Sequence, residues 1–225
     1  MTRIKVCGIT TLEDALVAAG AGADMLGFNF YPKSPRYIAP EAARALTDAL
    51  REQLGSRRPL FIGVFVNESA SSVAATLSRA GMDFAQLSGD ESNDMLRILK
   101  GSAFKAIRPR NREEALDDAA YFLAHAPSDE RLPSLLLDAH HPELYGGTGE
   151  AASLEVALAV REAVPRLMLA GGLTPDNVGQ RIRAVRPWGV DVASGVEGET
   201  PGRKDESCLR AFVAAVRVAE ADVSR

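Results

Sequence analysis

Eight short apolar runs, each followed by a stretch with helical periodicity, extend from one end of the sequence to the other. The units repeat every roughly 25 to 30 residues, which is the pattern of parallel strands joined by crossover helices. The runs are continuously apolar, as expected for strands that are covered on both faces. The predicted strands are 4–7, 25–30, 60–66, 84–87, 104–107, 135–138, 167–170 and 190–193. The predicted helices are 12–20, 40–54, 69–80, 91–100, 112–124, 151–163, 175–184 and 206–221. The sequence therefore predicts an α/β fold built on a parallel sheet.

Glycine-containing segments follow the last two predicted strands. Gly171 and Gly172 follow the seventh strand, and Ser194 and Gly195 follow the eighth. Glycine at a strand end lets backbone N–H groups approach an anion closely, because no Cβ is in the way. The first segment leads into a predicted helix with Thr174 as N-cap and a proline at the first helical position. The second is expected to open into a short extra helix. Eightfold barrels bind phosphate in this arrangement, so the segments predict a phosphorylated small-molecule ligand.

An open doubly wound sheet is the alternative architecture. Such a sheet usually carries a G-x-G-x-x-G phosphate loop after its first strand. The segment 7–10 reads Cys-Gly-Ile-Thr and lacks that spacing. Eight units and late phosphate loops therefore favour a closed (β/α)₈ TIM barrel, with one domain over residues 1–225. The longest connections, 29–39 and 139–150, follow strands two and six and so lie on the C-terminal face, where such barrels bind substrates.

Composition and charge narrow the expected partners and location. The chain has 26 basic and 30 acidic residues and a net charge of −4, so neither nucleic acid nor a membrane is an expected partner. Its two cysteines, Cys7 and Cys208, cannot form a disulfide framework, which favours a reducing, cytoplasmic location. No signal peptide or membrane span is predicted. The most obvious basic clusters, expected to be mainly solvated, are Arg57 with Arg58 and the group Arg108, Arg110 and Arg112.

Three polar residues are candidates for chemistry at the barrel mouth. Cys7 ends the first strand, Asp138 ends the sixth, and Arg36 lies in the long second loop. Each residue taken alone also has a structural explanation. The cysteine is compatible with buried packing, the aspartate with capping a loop, and the arginine with an exposed position in a surface loop. Together with a phosphate site, they provide a base, an acid and an anion clamp. A cysteine base acts as its thiolate, which a positive neighbourhood favours.

Lys5 shares a strand face with Cys7 because side chains alternate along a strand. We expect Lys5 to point into the barrel and to pair with Asp191 on the eighth strand, which closes beside the first. The alternative is that Lys5 acts directly on the thiol of Cys7.

The sequence predicts no metal site. Its close histidine pair, His140 and His141, consists of adjacent residues, and no third ligand has suitable spacing. Gln86, near the end of the fourth strand, is suited to bind a substrate hydroxyl, although a structural amide fits equally well.

A series of short motifs occurs in a fixed order from residue 5 to about residue 205. The motifs are Lys-Val-Cys-Gly-Ile-Thr (5–10), Gly-Phe-Asn-Phe-Tyr (27–31), Ser-Pro-Arg-Tyr (34–37), Gly-Val-Phe-Val-Asn (63–67), Leu-Leu-Leu-Asp (135–138), Gly-Gly-Thr-Gly (146–149), Ala-Gly-Gly-Leu (170–173), Asp-Val-Ala-Ser-Gly-Val-Glu (191–197) and Pro-Gly-Arg-Lys-Asp (201–205). The series resembles phosphoribosylanthranilate isomerases. The combination of Cys-Gly-Ile-Thr with Ser-Pro-Arg-Tyr is the specific part of this resemblance.

The resemblance implies a (β/α)₈ barrel that converts phosphoribosylanthranilate to carboxyphenylamino-deoxyribulose phosphate, a step of tryptophan synthesis. It implies that Cys7 is the general base, Asp138 the general acid and Arg36 the partner of the anthranilate carboxylate. The reaction is an Amadori rearrangement, which is internal to the substrate, so no cofactor is expected. A monomer and a homodimer are both compatible with the sequence.

One position departs from the family pattern. The family usually has Gln-Leu-His-Gly at strand four, whereas this chain has Gln86, Leu87, Ser88 and Gly89. Serine donates a hydrogen bond but cannot carry the positive charge of an imidazolium, so reduced or altered activity is expected. The alternative functions are a histidine-pathway or dual-substrate sugar-phosphate isomerase, and a catalytically silent phosphate-binding barrel.

Overall fold

The computed structural model describes residues 1–138 and 153–223 and contains a closed parallel barrel. Its strands are β1 (Arg3–Cys7), β2 (Met25–Asn29), β3 (Leu60–Phe65), β4 (Phe84–Leu87), β5 (Ala103–Ile107), β6 (Leu135–Leu137), β7 (Leu167–Leu169) and β8 (Gly189–Val192). Its helices are α1 (Leu12–Ala21), α2 (Pro40–Leu54), α3 (Ala70–Ala80), α4 (Asn93–Leu99), α5 (Arg112–Leu123), α6 (Leu154–Ala163), α7 (Val178–Val185) and α8 (Glu206–Val223). Short 3₁₀ turns span Gly55–Arg57 and Ser194–Val196.

The strands pair in chain order, and β8 pairs in parallel with β1. The register places Lys5 opposite Asp191 and Cys7 opposite Gly27. The closed (β/α)₈ barrel predicted from the repeating pattern is confirmed. The open sheet is excluded, because both of its edges would have to be unpaired.

The apolar core has two layers, because the strands alternate their side chains between the barrel interior and the surrounding helices. The interior layer includes Met25, Ile62, Phe104 and Met168, all at most 1% exposed. The larger outer layer lies between the strands and the helices. Both faces of the sheet are thus buried, which explains the continuously apolar strands.

Several helices begin at side-chain caps that the sequence contains. Thr11, Ser69, Asn111 and Ser153 each accept a hydrogen bond from a backbone N–H group in the first turn of α1, α3, α5 and α6, respectively. Such caps satisfy backbone donors that have no partner within the helix. The capped helices α1, α3 and α5 therefore begin within one residue of their predicted positions, whereas α6 begins three residues later than predicted.

The expected N-cap at Thr174 is wrong, because α7 begins at Val178. The intervening residues form a turn that is held by the side chain of Asn177. Its amide nitrogen donates to the carbonyl of Gly172 at 2.8 Å, and its Oδ1 accepts from the backbone N–H of Thr174 at 2.9 Å. These bonds hold the phosphate-loop segment in a turn, and the helix begins only after that turn.

The connection predicted over 139–150 and the start of the helix predicted from residue 151 lie outside the described residues, as do His140 and His141. None of the helices in the described part of the chain is both long enough and apolar enough to cross a membrane.

A buried ion pair between Lys105 and Glu91 fixes the segment that follows β4. The Lys105 ammonium donates to Glu91 Oε2 at 3.0 Å and to the carbonyl of Gly89 at 2.5 Å. The Glu91 carboxylate also accepts from the backbone N–H groups of Asn67 and Gly89, both at 2.8 Å. These contacts explain why α4 begins at Asn93, two residues later than expected.

We predict that Glu91→Ala lowers the free energy of unfolding by about 3–5 kcal/mol, because it leaves a buried ammonium without its counter-charge. Urea denaturation measures the change. Asp94→Ala is the matched control, since it removes an acidic partner from the exposed Asp94–Arg97 pair; its effect is expected to be much smaller. Equal losses for the two variants would contradict the prediction.

Candidate active site

One pocket opens at the C-terminal ends of the strands and has a volume of about 950 Å³ including its mouth. All eight residues that the sequence analysis proposed for the site line it: Cys7, Arg36, Gln86, Asp138, Gly171, Gly172, Ser194 and Gly195. They come from strand ends and loops around the barrel, so closure of the sheet brings them together. The chemical roles of these residues remain predictions.

Lys5 and Asp191 form a buried ion pair at the floor of the pocket, which Asp191 lines, with Nζ 3.0 Å from Oδ1. This pairing confirms the expectation drawn from strand periodicity. Gly27 on β2 makes room for it, because a Cβ there would lie 2.9 Å from Cys7 Sγ and 3.1 Å from Lys5 Nζ. Lys5 is fully buried, which lowers its pKa, but Asp191 and Cys7 together raise that pKa above the usual value. Lys5 therefore stays charged beside the thiol.

The environment of Cys7 acts on its thiol in opposing directions. Burial raises the pKa of Cys7 and outweighs the other influences. The positive charges of Lys5 and Lys204 lower that pKa, whereas Asp191 raises it. Lys5 therefore pairs with Asp191 and also lowers the pKa of Cys7 directly, so both roles considered for it are compatible.

The second loop is folded by its own polar side chains. Asn29 accepts from the backbone N–H of Tyr31 at 2.9 Å and donates to Ser34 Oγ at 3.1 Å. Ser34 Oγ also accepts from the backbone N–H of Arg36 at 3.1 Å. Gly8, at a φ of 78°, lies directly against Arg36, and a Cβ there would be 2.5 Å from Arg36 Cδ. Glycine at this position lets the arginine lie over the end of β1.

Arg36 is joined to Lys204 through the carboxylate of Glu197. Arg36 donates to Glu197 through Nε at 2.7 Å and through Nη2 at 2.8 Å. Lys204, whose side chain is fully buried, donates to Glu197 Oε1 at 2.9 Å and to the carbonyl of Ala193 at 3.1 Å. Burial alone would raise the pKa of Glu197, but Arg36 and Lys204 hold it below the usual value. The group carries two positive charges and one negative charge, so it leaves a net positive charge beside the pocket.

The two predicted phosphate loops contact each other. Gly171 and Gly172 have positive φ angles of 82° and 56°, which glycine adopts without strain. Within the described ranges, their backbone N–H groups donate to no protein acceptor. Gly195 packs against the carbonyl of Leu173, and a Cβ on Gly195 would collide with that backbone. The short helix expected after β8 is observed as a single 3₁₀ turn, Ser194–Val196.

Gln86 and Ser88 lie two residues apart on β4 and its extension, and both line the pocket. Gln86 Nε2 donates to Ser88 Oγ at 3.0 Å. The two residues are 6% and 8% exposed. Ser88, the residue that departs from the family pattern, is therefore part of the pocket wall.

Four charged residues at or beside the site were given no role in the sequence analysis: Glu197, Lys204, Arg108 and Lys33, of which the last two line the pocket. Glu197 and Lys204 appeared there only within motifs, and no local pattern brings them together. Arg108 was grouped with solvated arginines, yet it lines the pocket close to Asp138, since β5 and β6 are neighbours. Its position directly after an apolar strand could have identified it, because this is the position that drew attention to Asp138. Arg110, by contrast, is exposed and pairs with Glu114.

Among residues 1–138 and 153–223, no three His, Cys, Asp or Glu side chains are grouped so that they could hold a metal ion. The charged pocket wall is instead built from ammonium, guanidinium and carboxylate groups, which suits an organic anion.

Comparison with known proteins places the chain in a family. The sequence model of the N-(5'-phosphoribosyl)anthranilate (PRA) isomerase family matches residues 4–215. The chain belongs to this family. It is 45% identical over 217 residues to the N-(5'-phosphoribosyl)anthranilate isomerase of a Geobacter species, a match covering 95% of this chain and 97% of the relative. It is 43% identical over 213 residues to the enzyme of Trichlorobacter lovleyi, with the same shares covered.

Solved phosphoribosylanthranilate isomerase structures share the barrel. The structure from Thermotoga maritima has a TM-score of 0.83 and 36% identity, covering 97% of this chain and 100% of that one. A phosphoribosylanthranilate isomerase in complex with reduced 1-(o-carboxyphenylamino)-1-deoxyribulose 5-phosphate has a TM-score of 0.79 and 34% identity, with the same coverage. The family relationship thus extends over the whole barrel.

The contact between the two phosphate loops predicts a specific effect of Gly195→Ala. The added methyl group pushes the eighth loop away from Leu173 and so separates the two sets of backbone donors. We expect KM for a phosphorylated substrate to rise roughly tenfold, a loss of about 1.4 kcal/mol in binding. Gly198→Ala is the control, because a Cβ on Gly198 meets no atom within 4 Å. An unchanged KM for Gly195→Ala in steady-state kinetics would contradict the prediction.

Proposed function

We propose that this chain isomerises phosphoribosylanthranilate to carboxyphenylamino-deoxyribulose phosphate in tryptophan synthesis, with Cys7 as general base and Asp138 as general acid. The observation that carries the proposal is that Cys7, Asp138 and Arg36 line one pocket together with both glycine-containing phosphate loops. The family membership of the chain supports the same reaction.

The substrate has an anionic group at each end, and the pocket has a site suited to each. The backbone N–H groups of Gly171 and Gly172, which donate to no acceptor among residues 1–138 and 153–223, suit the phosphate together with the adjoining Ser194–Gly195 turn. Arg36 suits the planar carboxylate, because a guanidinium binds carboxylates through paired N–H donors. Two of its N–H groups are bound to Glu197, and the remaining donors serve the substrate. Binding at both ends orients the sugar between acid and base.

The first chemical step opens the furanose ring. Asp138 donates a proton to the ring oxygen as the bond from that oxygen to carbon 1 breaks, and the nitrogen lone pair forms a Schiff base at carbon 1. Asp138 must carry this proton when the substrate binds. A positioned acid of this type contributes about 10²–10⁴-fold to the rate.

The second step moves hydrogen within the sugar. The Cys7 thiolate removes the proton from carbon 2, and the electron pair of that bond shifts toward the positively charged nitrogen, forming an enolamine. Tautomerisation then reprotonates carbon 1 and leaves a ketone at carbon 2. Carbon 1 is reduced and carbon 2 is oxidised, so the chemistry balances without an external oxidant or reductant.

The other functions considered from the sequence have less support. A histidine-pathway isomerase is expected to use two aspartates, whereas Cys7 occupies the end of β1. A silent barrel would have no need of an acid, a base and an anion clamp in one pocket. We further propose a single barrel domain over residues 1–225, a cytoplasmic location and a monomeric or homodimeric state; one Thermotoga maritima relative is described as dimeric.

Replacing either proposed catalytic residue should lower turnover by orders of magnitude while the protein stays folded. We expect Cys7→Ala and Asp138→Asn each to lower kcat by about 10²–10⁴-fold, because each removes one proton-transfer group. The measurement is turnover of freshly generated phosphoribosylanthranilate, followed by the loss of its anthranilate-type fluorescence. Cys208→Ala is the matched cysteine control, because Cys208 lies on α8 and packs against the outer core. Full activity in Cys7→Ala would exclude the thiolate as base.

The charges around Cys7 predict a pH effect. A thiolate base makes kcat/KM rise with pH through the pKa of Cys7, which burial raises in the free enzyme. Lys204 lowers that pKa, so Lys204→Met should move the rising part of the profile to higher pH. Arg210→Gln is the control, because it removes a half-exposed positive charge that pairs only with the exposed Glu206 among the ion pairs of the described residues. A profile that stays in place, or moves to lower pH, would argue against a thiolate base beside Lys204.

A further inference from the structure

The guanidinium of Arg36 is held along one edge and leaves its end unbound. Its Nε and Nη2 donate to the two carboxylate oxygens of Glu197 at 2.7 and 2.8 Å. These nitrogens form one edge of the planar group, while Nη1 and the second N–H of Nη2 form its end. Within the described ranges, Nη1 donates to no protein acceptor and is not among the buried side-chain atoms that lack a partner, so it is accessible.

The other parts of the Arg36 side chain are covered by protein. Its aliphatic stem lies over Gly8, just beyond the end of β1, where a Cβ would be 2.5 Å from Arg36 Cδ. Its Nε edge is covered by Glu197, whose side chain is 5% exposed. The Arg36 side chain nevertheless keeps 12% of its surface exposed and lines the pocket. The Nη1/Nη2 end is therefore the part of Arg36 that reaches the pocket.

Glu197 is itself fixed to the eighth loop. Its backbone N–H donates to the carbonyl of Ser194 at 3.0 Å, and its carboxylate accepts from the buried ammonium of Lys204 at 2.9 Å. The same ammonium donates to the carbonyl of Ala193, directly after β8, at 3.1 Å. Because Ser194 belongs to a proposed phosphate loop, the carboxylate of Glu197 ties the position of Arg36 to that loop.

We propose that Glu197 is a positioning residue that holds Arg36 by its Nε/Nη2 edge, so that the Nη1/Nη2 end binds the substrate carboxylate through paired N–H donors. This proposal rests on the proposed function and deepens it, because it assigns the carboxylate to one end of one guanidinium. The contacts of Glu197 with the eighth loop then set the spacing between the carboxylate site and the phosphate site. An arginine without this support would have to be ordered when the ligand binds, which lowers affinity.

Positioning and simple charge predict opposite effects for Glu197→Gln. The substitution removes a negative charge beside Arg36, which by itself would strengthen the binding of an anion. It also replaces one of the two acceptor oxygens by an amide NH₂ group, which cannot accept from a guanidinium. Arg36 is then no longer held along its edge. If Glu197 acts by positioning, a carboxylate binds more weakly even though the local charge has become more positive.

The test compares two ligands: the reduced form of carboxyphenylamino-deoxyribulose phosphate, and its phenylamino counterpart, which lacks the carboxylate. Titration calorimetry gives Kd of both for the wild type and for Glu197→Gln. We expect Kd of the carboxylate ligand to rise roughly tenfold, the lower end of the range for a charged hydrogen bond, and Kd of the counterpart to change by less than about twofold. In an Arg36→Met background, which keeps a stem over Gly8, Glu197→Gln should not change the ratio of the two Kd values further.

Asp83→Asn is the matched control for loss of a paired carboxylate. Asp83 accepts from Arg58 through the same kind of double hydrogen bond, at 2.6 and 2.8 Å, but it precedes β4 and does not line the pocket. This substitution should lower the melting temperature and leave both Kd values unchanged.

A second variant guards against loss of the fold, because Glu197→Gln leaves the buried ammonium of Lys204 without its counter-charge. Combining Glu197→Gln with Lys204→Met removes that charge as well. Relative to Lys204→Met alone, the combined variant should show the same selective loss of the carboxylate ligand. A purely structural role of Glu197 would instead weaken both ligands together, along with a lower melting temperature.

The results separate the positioning role from the proposed function. If the wild type turns over phosphoribosylanthranilate but Glu197→Gln binds the carboxylate ligand as tightly as the wild type, or more tightly, the positioning role is overturned while the function stands. Equal weakening of both ligands also overturns it. If the wild type does not turn over phosphoribosylanthranilate, the proposed function fails, and the two sets of Kd values still decide whether Glu197 positions Arg36 for a carboxylate.

Discussion

Closure of a parallel eight-stranded sheet forces the C-terminal ends of all the strands onto one rim. Residues that are more than a hundred positions apart in the chain, such as Cys7 and Asp138, therefore line the same pocket. The helices cover the outside of the sheet, and the lower part of the interior is filled by apolar side chains. In the part of the chain that the structure describes, polar groups of the barrel interior can therefore meet a ligand at this rim, as is typical of such barrels.

Two buried groups of charges organise this rim. The Lys5–Asp191 pair lies below Cys7, and the Arg36–Glu197–Lys204 group joins the second loop to the eighth. A buried ion pair adds little net stability compared with a well-packed apolar pair. The two groups act by positioning charge. The Lys5–Asp191 pair holds a positive charge beside the thiol of Cys7, and the Arg36–Glu197–Lys204 group holds positive charge beside the anion-binding loop. Specific positions such as Gly8 and Gly27 carry no side chain, and this lets the charged groups approach.

Features that follow from short-range rules could be predicted from the sequence. The repeat of strands and helices predicted the barrel. The ends of the predicted strands identified Cys7 and Asp138 as pocket residues, and the two-residue periodicity of β1 predicted the Lys5–Asp191 pair. Features that depend on contacts between distant segments could not be predicted. The Thr-Pro sequence predicted an earlier start for α7 than the structure has. The side chain of Asn177 binds the Gly172 loop and holds the intervening residues in a turn. The link from Arg36 to Lys204 depends on loop paths that no local pattern specifies.

The Lys5–Asp191 pair has a consequence for the order in which the chain is made. The two residues are 186 positions apart, so at about 5–20 residues per second a ribosome produces Asp191 roughly 10–40 seconds after Lys5. During that interval one edge of β1 has no partner strand. An inward-pointing charge is a device that keeps such an open edge from pairing with a wrong strand. In the closed barrel, Lys5 is such an inward-pointing charge, and β8 places the opposite charge of Asp191 in register with it.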